Sequence, residues 1–344
     1  MGTIKVGLET VVSEFPERIV TDKDQAYLYP LLPEEIRGHF HFPKEMRRWK
    51  KDDALEILAE RVAKKALDRA GLRPSDIDCV IATQFGGLFV WPMVAPYIHY
   101  KLGLPQNVPA FNISNACASF LDGCEIAWNL VLSGKYKRIL FVTAAAWETA
   151  GGQGRADFTD PMSAIFGDGA GAAIISSQNL KCEFLSYYCR TFGDLYDKAS
   201  CGIRGPANPG LKGAPDQPSV GAYMFGTPYF FEWWKKNGPT FGVDNMKPAL
   251  EKVYLNLSDL DMIIFHQPID FLYDMWMDGA EEAGISRDKW KHTYHQYGNM
   301  GNCVIPVNLA EFWEKGELKK GSIIGLIAIG AGAHSPAMII RWLV

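Results

Sequence analysis

The sequence of 344 residues has no apolar run of the ~18 residues that a membrane span requires. It has no block of lysine and arginine, and no Cys-x-x-Cys pair among its seven cysteines. The first absence excludes a transmembrane helix, and the second a nucleic-acid footprint. The third argues against a disulfide framework or a zinc site: an odd number of unpaired thiols fits a reducing, cytoplasmic compartment. Cys182, Cys189 and Cys201 are spaced too irregularly for zinc. Walker and H-E-x-x-H motifs are missing, so neither a metal nor a redox cofactor is expected. Gly167-Asp168-Gly169-Ala170-Gly171 looks superficially like a nucleotide loop. It lacks G-x-G-x-x-G spacing and a strand-to-helix turn, and reads as a tight hairpin. The first fourteen residues alternate like a strand and carry Lys5 and Glu9, which does not suit a signal peptide.

What remains is the profile of a soluble globular protein with a substantial core: 48% hydrophobic residues, 22% charged and a net charge of −4. The chain also rhymes with itself. ALDRAGLRPSDIDCVIAT (66–83) matches ALEKVYLNLSDLDMIIFH (249–266), each reading as a helix end, a Ser-Asp turn and a buried strand. Residues 115–142 match 298–326, each reading as a helix, a Gly-Lys turn and a strand. Asp78 stands opposite Asp261 and Gly134 opposite Gly316, displaced by 183 and 182 residues. Both copies then end in a glycine-rich hairpin and strand. Two such copies predict two similar sheets packed face to face around shared helices, one half over 1–178 and the other over 179–344. The stretch from about 180 to 245, rich in Gly, Pro and aromatics, has no visible counterpart and reads as an insertion, either near the active site or as core or subunit contact.

The displacement places Asn299 opposite Cys117, each at the start of an equivalent helix, and His266 opposite Thr83, at the carboxyl end of an equivalent strand. Carboxyl strand ends are where open α/β sheets hold ligands. A thiol at a helix N-terminus is biased toward the nucleophilic thiolate. A neighbouring imidazole can exchange a proton with it. An asparagine amide can donate to a developing oxyanion without titrating.

At these residues the sequence resembles the β-ketoacyl-acyl-carrier-protein synthase III branch of the thiolase superfamily. NACASF (115–120) is similar to its A-C-A-G-F motif, HQPID (266–270) to H-Q-A-N, and YGNMGN (297–302) to H-G-N-T-S. The segments at 165–175 and 329–342 are similar to its two glycine-rich hairpins. The resemblance implies an α/β thiolase-like fold: two duplicated βαβαβ halves in a five-layered αβαβα sandwich. It implies that Cys117 accepts an acyl group from a coenzyme A or carrier-protein thioester. His266 and Asn299 would stabilise the enolate of a malonyl-type extender, and Cys117 and Ala331 would supply oxyanion-hole amides. It further implies a homodimer in which Trp91 reaches into the neighbour's acyl pocket. The chain departs from the pattern at Ser119, Ile269, Tyr297, Ala331 and Ser335-Pro336, which favours specialised polyketide-type or fatty-acid biosynthesis over housekeeping initiation. Transfer to an oxygen or nitrogen acceptor is the rival activity. A non-catalytic partner subunit is the alternative of another class, and the intact Cys-His-Asn set speaks against it.

Further candidates lie nearby. Arg47, Arg48 and Trp49 form a basic-aromatic cluster suited to the coenzyme A nucleotide, or else a solvated helix start. His334 could line the pocket or be a solvated loop residue. The helix after His266 carries Asp270, Asp274, Asp278, Glu281 and Glu282 before any basic residue. Such a face would repel an acidic carrier protein. It predicts coenzyme A delivery of at least one substrate, or carrier docking elsewhere, as near Lys235-Lys236 or Arg47-Arg48.

Overall fold

The computed structural model describes residues 4–32, 34–49, 54–89, 91–147, 164–195, 199–203, 222–226 and 228–344. The first half contains β1 (Gly7–Glu14), β2 (Arg18–Thr21), α1 (Glu34–Arg37), β3 (Glu45–Arg48), α2 (Leu55–Ala70), β4 (Cys79–Phe85), α3 (Ala95–Lys101), β5 (Ala110–Asn112), α4 (Ser119–Leu132), β6 (Arg138–Ala145) and β7 (Gly169–Ser176). The second contains β8 (Cys182–Thr191), β9 (Ala199–Ile203), β10 (Ala222–Gly226), α5 (Pro228–Glu251), β11 (Met262–Phe265), α6 (Asp270–Glu282), β12 (Trp290–Lys291), α7 (Tyr294–Tyr297), α8 (Val304–Glu314), β13 (Ile323–Ile327) and β14 (His334–Trp342).

The duplication is visible strand for strand. One half runs β5-β4-β6-β7-β1 across its sheet, and the other β12-β11-β13-β14-β8. In each, the strand that ends the half (β7 or β14) runs against the other four. β6 and β7 are buried along nearly their whole length, so they read as continuous apolar runs rather than alternating ones. The two Asp turns are equivalent: Asp78 N–H donates to Arg138 O at 3.0 Å, and Asp261 N–H to Ile323 O at 2.9 Å.

Helices form five layers with the sheets. α2 spaces its apolar residues at 55, 58, 59, 62, 63, 66 and 67, buries them all on the first sheet, and stops at Gly71, whose φ of 66° suits a glycine. α8 buries every residue from Val304 to Ala310, because with α4 it fills the layer between the sheets. Gly171 permits that approach: a Cβ there would lie 2.8 Å from Pro306 of α8.

Besides facing each other across α4 and α8, the two sheets meet at one edge, where Gly7 and Leu8 of β1 pair with Glu183 and Cys182 of β8. A Cβ at position 7 would sit 1.9 Å from Cys182 O, so only glycine allows this seam. Two expectations need correcting. The insertion is shorter than 180–245. β8 is the counterpart of β1, and α5 packs on β14, β8 and β13 as α2 packs on β7, β1 and β6. Within α5, Trp234 is core, stacked among Phe241 and Trp276. Most of the intervening segment lies outside the described residues. Finally, the first glycine-rich segment is no tight hairpin, since β6 and β7 are separated by residues 146–168; only β13 and β14 are closely connected.

Candidate active site

Cys117 lies in a turn just before α4. Ala116, ahead of it, has a φ of 47°, a left-handed conformation that a side chain disfavours. Hydrogen bonds hold it there. Asn115 N–H donates to Ser119 Oγ at 2.8 Å, and Ser119 O–H donates to Ala116 O at 2.6 Å. The thiol is half-buried at the start of a helix of 14 residues, where the macrodipole favours a thiolate. Burial pushes the thiols of Cys79, Cys182 and Cys303 up to about 12, and that of Cys124 well above its ordinary value. Cys201 lies outside the residues whose side chains are described.

His266 follows β11, buried to 2% exposure, its N–H donating to Ile327 O at 2.8 Å. Its Nε2 lies 3.2 Å from Asn299 Oδ1. That oxygen can only accept, so Nε2 carries the proton. Burial lowers the imidazole pKa to about 4, against the smaller opposing effect of the Asn299 bond, so His266 is neutral at pH 7. Asn299 is oriented by its surroundings: Oδ1 accepts from Gly301 N–H at 2.8 Å and Nδ2 donates to Pro268 O at 3.1 Å. Its backbone is bridged to 165–167 by bonds of 2.8 Å and 3.1 Å. Two glycines make the bridge possible, since a Cβ at Gly167 would lie 1.8 Å from Tyr297 O, and one at Gly298 2.4 Å from Ile165 O. Gln267, fully buried, accepts from Thr293 N–H at 3.0 Å and donates to Gly298 O at 3.2 Å, fixing the same loop.

The loop after β13 joins the two parts. Just before it, Ile327 O at the end of β13 accepts from the His266 backbone N–H. Three residues on, Gly330 lies so close to the nucleophile turn that a Cβ would be 2.7 Å from Asn115 O and 3.4 Å from the Ala118 Cβ. Ala331 is the exposed tip of that loop. Behind Asn299 stands a wall of stacked rings, Phe85, Trp147 and Phe166, at centroid distances of 4.7 Å and 4.0 Å.

The other candidates fare differently. Trp91 is 81% exposed, beside exposed Leu88 and Phe89. His334 is not a solvated loop residue: Nδ1 is 2.7 Å from Thr191 Oγ1 and Nε2 3.2 Å from Asp122 Oδ1. Arg47 and Arg48 lie on β3 rather than at a helix start, and strand alternation turns Arg48 inward to 2% exposure. It borders a cavity of about 350 Å³ shared with Arg18, Gln25 and Tyr27. Trp49 is partly buried against the core of the first half. The helix after His266 is less acidic than its sequence: Asp270 is buried against His41 at 2.7 Å, and Arg287 pairs with both Asp274 and Asp278. Asp168 is a clamp, accepting from Trp49 N–H and Trp147 N–H at 2.8 Å each. Among the described residues no group of His, Cys, Asp and Glu could hold a metal ion, and no helix is long and apolar enough to cross a membrane.

Comparison with known proteins places the chain in a family. The β-ketoacyl-[acyl-carrier-protein] synthase III of a Sulfurovum species is 32% identical over 284 residues, covering 82% of this chain and 79% of that one. The chain belongs to this family. The Fusobacterium nucleatum synthase III is 28% identical over 98% of each chain. Family profiles match in order: thiolase N-terminal domain at 42–145, 3-oxoacyl-[acyl-carrier-protein] synthase III at 111–193, and its C-terminal region at 250–342. The crystal structure of the Pseudomonas aeruginosa synthase III superposes with a TM-score of 0.81 at 22% identity over 99% of each chain, and that of OleA from Xanthomonas campestris with 0.81 at 19% over 99% of each. The fold is thiolase-like, and the protein is a condensing enzyme of the ketosynthase III kind.

Proposed function

We propose that Cys117, His266 and Asn299 act together in a Claisen condensation. The Cys117 thiolate attacks the carbonyl carbon of an acyl thioester. The bond from that carbon to the donor sulfur breaks, and the donor leaves as a thiol, taking the proton that Cys117 gave up. A malonyl-type thioester then loses carbon dioxide, and the electrons of the broken carbon–carbon bond form an enolate. His266, neutral, turns its one Nε2–H from Asn299 Oδ1 to the enolate oxygen, and Asn299 donates through the second hydrogen of Nδ2. The enolate carbon attacks the acyl group and Cys117 departs as thiolate. Backbone amides of Cys117 and the Ala331 loop receive the oxyanion of each acyl-transfer step.

The observation that supports this reading is the passage from β13 to β14: Ile327 O, at the end of β13, accepts from the His266 backbone N–H, and Gly330, three residues on, closes on the nucleophile turn. The acyl donors are coenzyme A or carrier-protein thioesters. The subunits pair as a homodimer through the edge strand β5 and the exposed apolar loop of Leu88, Phe89 and Trp91, a surface that would otherwise stand unpaired in water. Of the basic cluster, Arg47 keeps a half-exposed side chain for coenzyme A phosphates.

Intact-protein mass spectrometry with acyl-coenzyme A donors tests the central step. Wild type gains one acyl mass and folded Cys117→Ala gains none. An adduct that persists in the variant, or maps to Cys124, refutes the assignment.

A further inference from the structure

We propose that Asp122 and His334 are positioning residues, whose hydrogen bond clamps the nucleophile turn to the β13–β14 loop and so sets the spacing of the two backbone segments that receive the oxyanion; this rests on the function proposed above.

Asp122 occupies the first turn of α4 and gathers three strangers in sequence. Its Oδ2 accepts from Asn115 Nδ2 at 2.6 Å, and its Oδ1 accepts from Tyr187 O–H at 2.6 Å and from His334 Nε2 at 3.2 Å. Asn115 precedes Cys117 by two residues, Tyr187 lies on β8, and His334 opens β14. Burial and the Asp122 carboxylate both push the Tyr187 phenol upward, so it stays a protonated donor. Thr191 holds the far side of the His334 ring at 2.7 Å. The side chains of Asp122 and His334 are only 15% and 19% exposed, so water competes weakly for this bond.

The clamp reaches the reacting atoms by short paths. From Asp122 it runs through Asn115 to the turn in which Ala116 is held left-handed, one residue before Cys117. From His334 it runs through the backbone: His334 O accepts from Gly330 N–H at 2.8 Å, and Gly330 closes onto Asn115 O. Breaking the Asp122–His334 bond would release the loop that carries Ala331 from α4 and from the turn before it that carries the Cys117 amide.

A purely structural tie between β8, β14 and α4 would leave a different signature. Alkylation by iodoacetamide needs the Cys117 thiolate but builds no oxyanion, whereas acyl transfer needs both. Displacing a catalytic group by about 1 Å costs about 100-fold. His334→Ala and Asp122→Ala should therefore acylate from acetyl or octanoyl coenzyme A roughly 10- to 100-fold more slowly, with Cys117 alkylation within about twofold of wild type. His334→Gln, whose amide can replace Nε2 as donor, should recover most of the rate. The double variant should be no slower than Asp122→Ala alone, because that variant already lacks the bond His334→Ala removes. Acylation at the wild-type rate, an equal fall in acylation and alkylation, or additive losses would overturn the inference. If Asp122→Ala does not fold, His334→Ala decides alone. Wild type that takes no acyl group overturns the proposed function and this inference with it. Variants that match an active wild type overturn this inference only.

Discussion

The two halves share one topology, and the function proposed above divides the chemistry between them. At the start of the central-layer helix, the first half places Cys117 and the second Asn299. Toward the carboxyl end of the strand next to the edge, β4 or β11, the first half places Thr83 and the second His266. The residue after each is glutamine, and both glutamines do the same work: Gln84 accepts from Val94 N–H at 2.6 Å and donates to Gly86 O, while Gln267 accepts from Thr293 N–H and donates to Gly298 O. The two strand ends are thus each braced by the glutamine that follows, and in the function proposed above one copy holds the nucleophile while the other donates to an oxygen.

The sharpest way to break this division is to disable one half and ask which step fails. Loss of a single oxyanion-type donor costs on the order of 100- to 1000-fold. Asn299→Ala should acylate Cys117 normally, yet release carbon dioxide from a malonyl thioester slower by about that factor. Equal loss of both steps would show that the second half also serves acyl transfer. A wild-type enzyme that acylates but forms no carbon–carbon bond and releases no carbon dioxide would favour transfer to oxygen or nitrogen, or a condensation without decarboxylation.

The division also has an energetic side. Burial depresses His266 from the usual 6.5 to about 4, and His292, in the same half, to about 4. Thr83, the counterpart of His266, does not titrate. Between those values the unfolded chain binds protons that the folded chain refuses. Stability is therefore full above about 6.5 and falls as pH drops toward 4, at up to about 1.4 kcal/mol per pH unit for each such histidine. Urea titrations across this window should show the slope, and His266→Gln should reduce it. Hydrogen exchange should place the first acid opening around β11 and α7 rather than around β4. A flat stability profile, or opening that begins in the first half, would defeat the argument.

How far the sequence could be read follows from the range of each interaction. The repeat was legible because turn residues such as Asp78, Asp261, Gly134 and Gly316 act locally, and their spacing survives in the text. Cys117, His266 and Asn299 were legible as positions within that repeat. β8 was not, because the segment between it and α5 interrupts the rhyme, and a strand's equivalence to β1 resides in its partner β14. Arg48 misled because strand alternation, not composition, decides which way a side chain faces. Asp122 looked like an ordinary acidic residue in a first helical turn. Its partners Tyr187 and His334 stand 65 and 212 residues away, and no local pattern records them. Ser119 was visible only as a departure from a glycine, and its hydroxyl turns out to brace the nucleophile turn.

The smallest expected effect concerns the helices that follow the paired strands. α3 in the first half ends with His99 and Lys101, whereas α6 in the second is acidic in sequence. Repulsion of an acidic carrier protein by α6 would require its charges to face solvent. Asp270 does not, and Arg287 spans Asp274 and Asp278. Only Glu281 and Glu282 of the original five stay exposed without being drawn into those contacts. The folded surface is therefore nearer neutrality than the sequence, and Arg287 is the residue that keeps it so. Arg287→Ala should uncover two carboxylates and slow turnover with a carrier-protein thioester roughly 1.4- to fivefold at low salt, the equivalent of the 0.2–1 kcal/mol that an exposed ion pair is worth. The coenzyme A rate should not change, and added salt should erase the difference, because a Debye length of about 8 Å at physiological ionic strength screens such encounters. If the carrier-dependent rate is indifferent to Arg287 at low salt, the carrier docks on another surface. If it rises, the arginine itself was the obstacle, and the neutralisation argument is wrong.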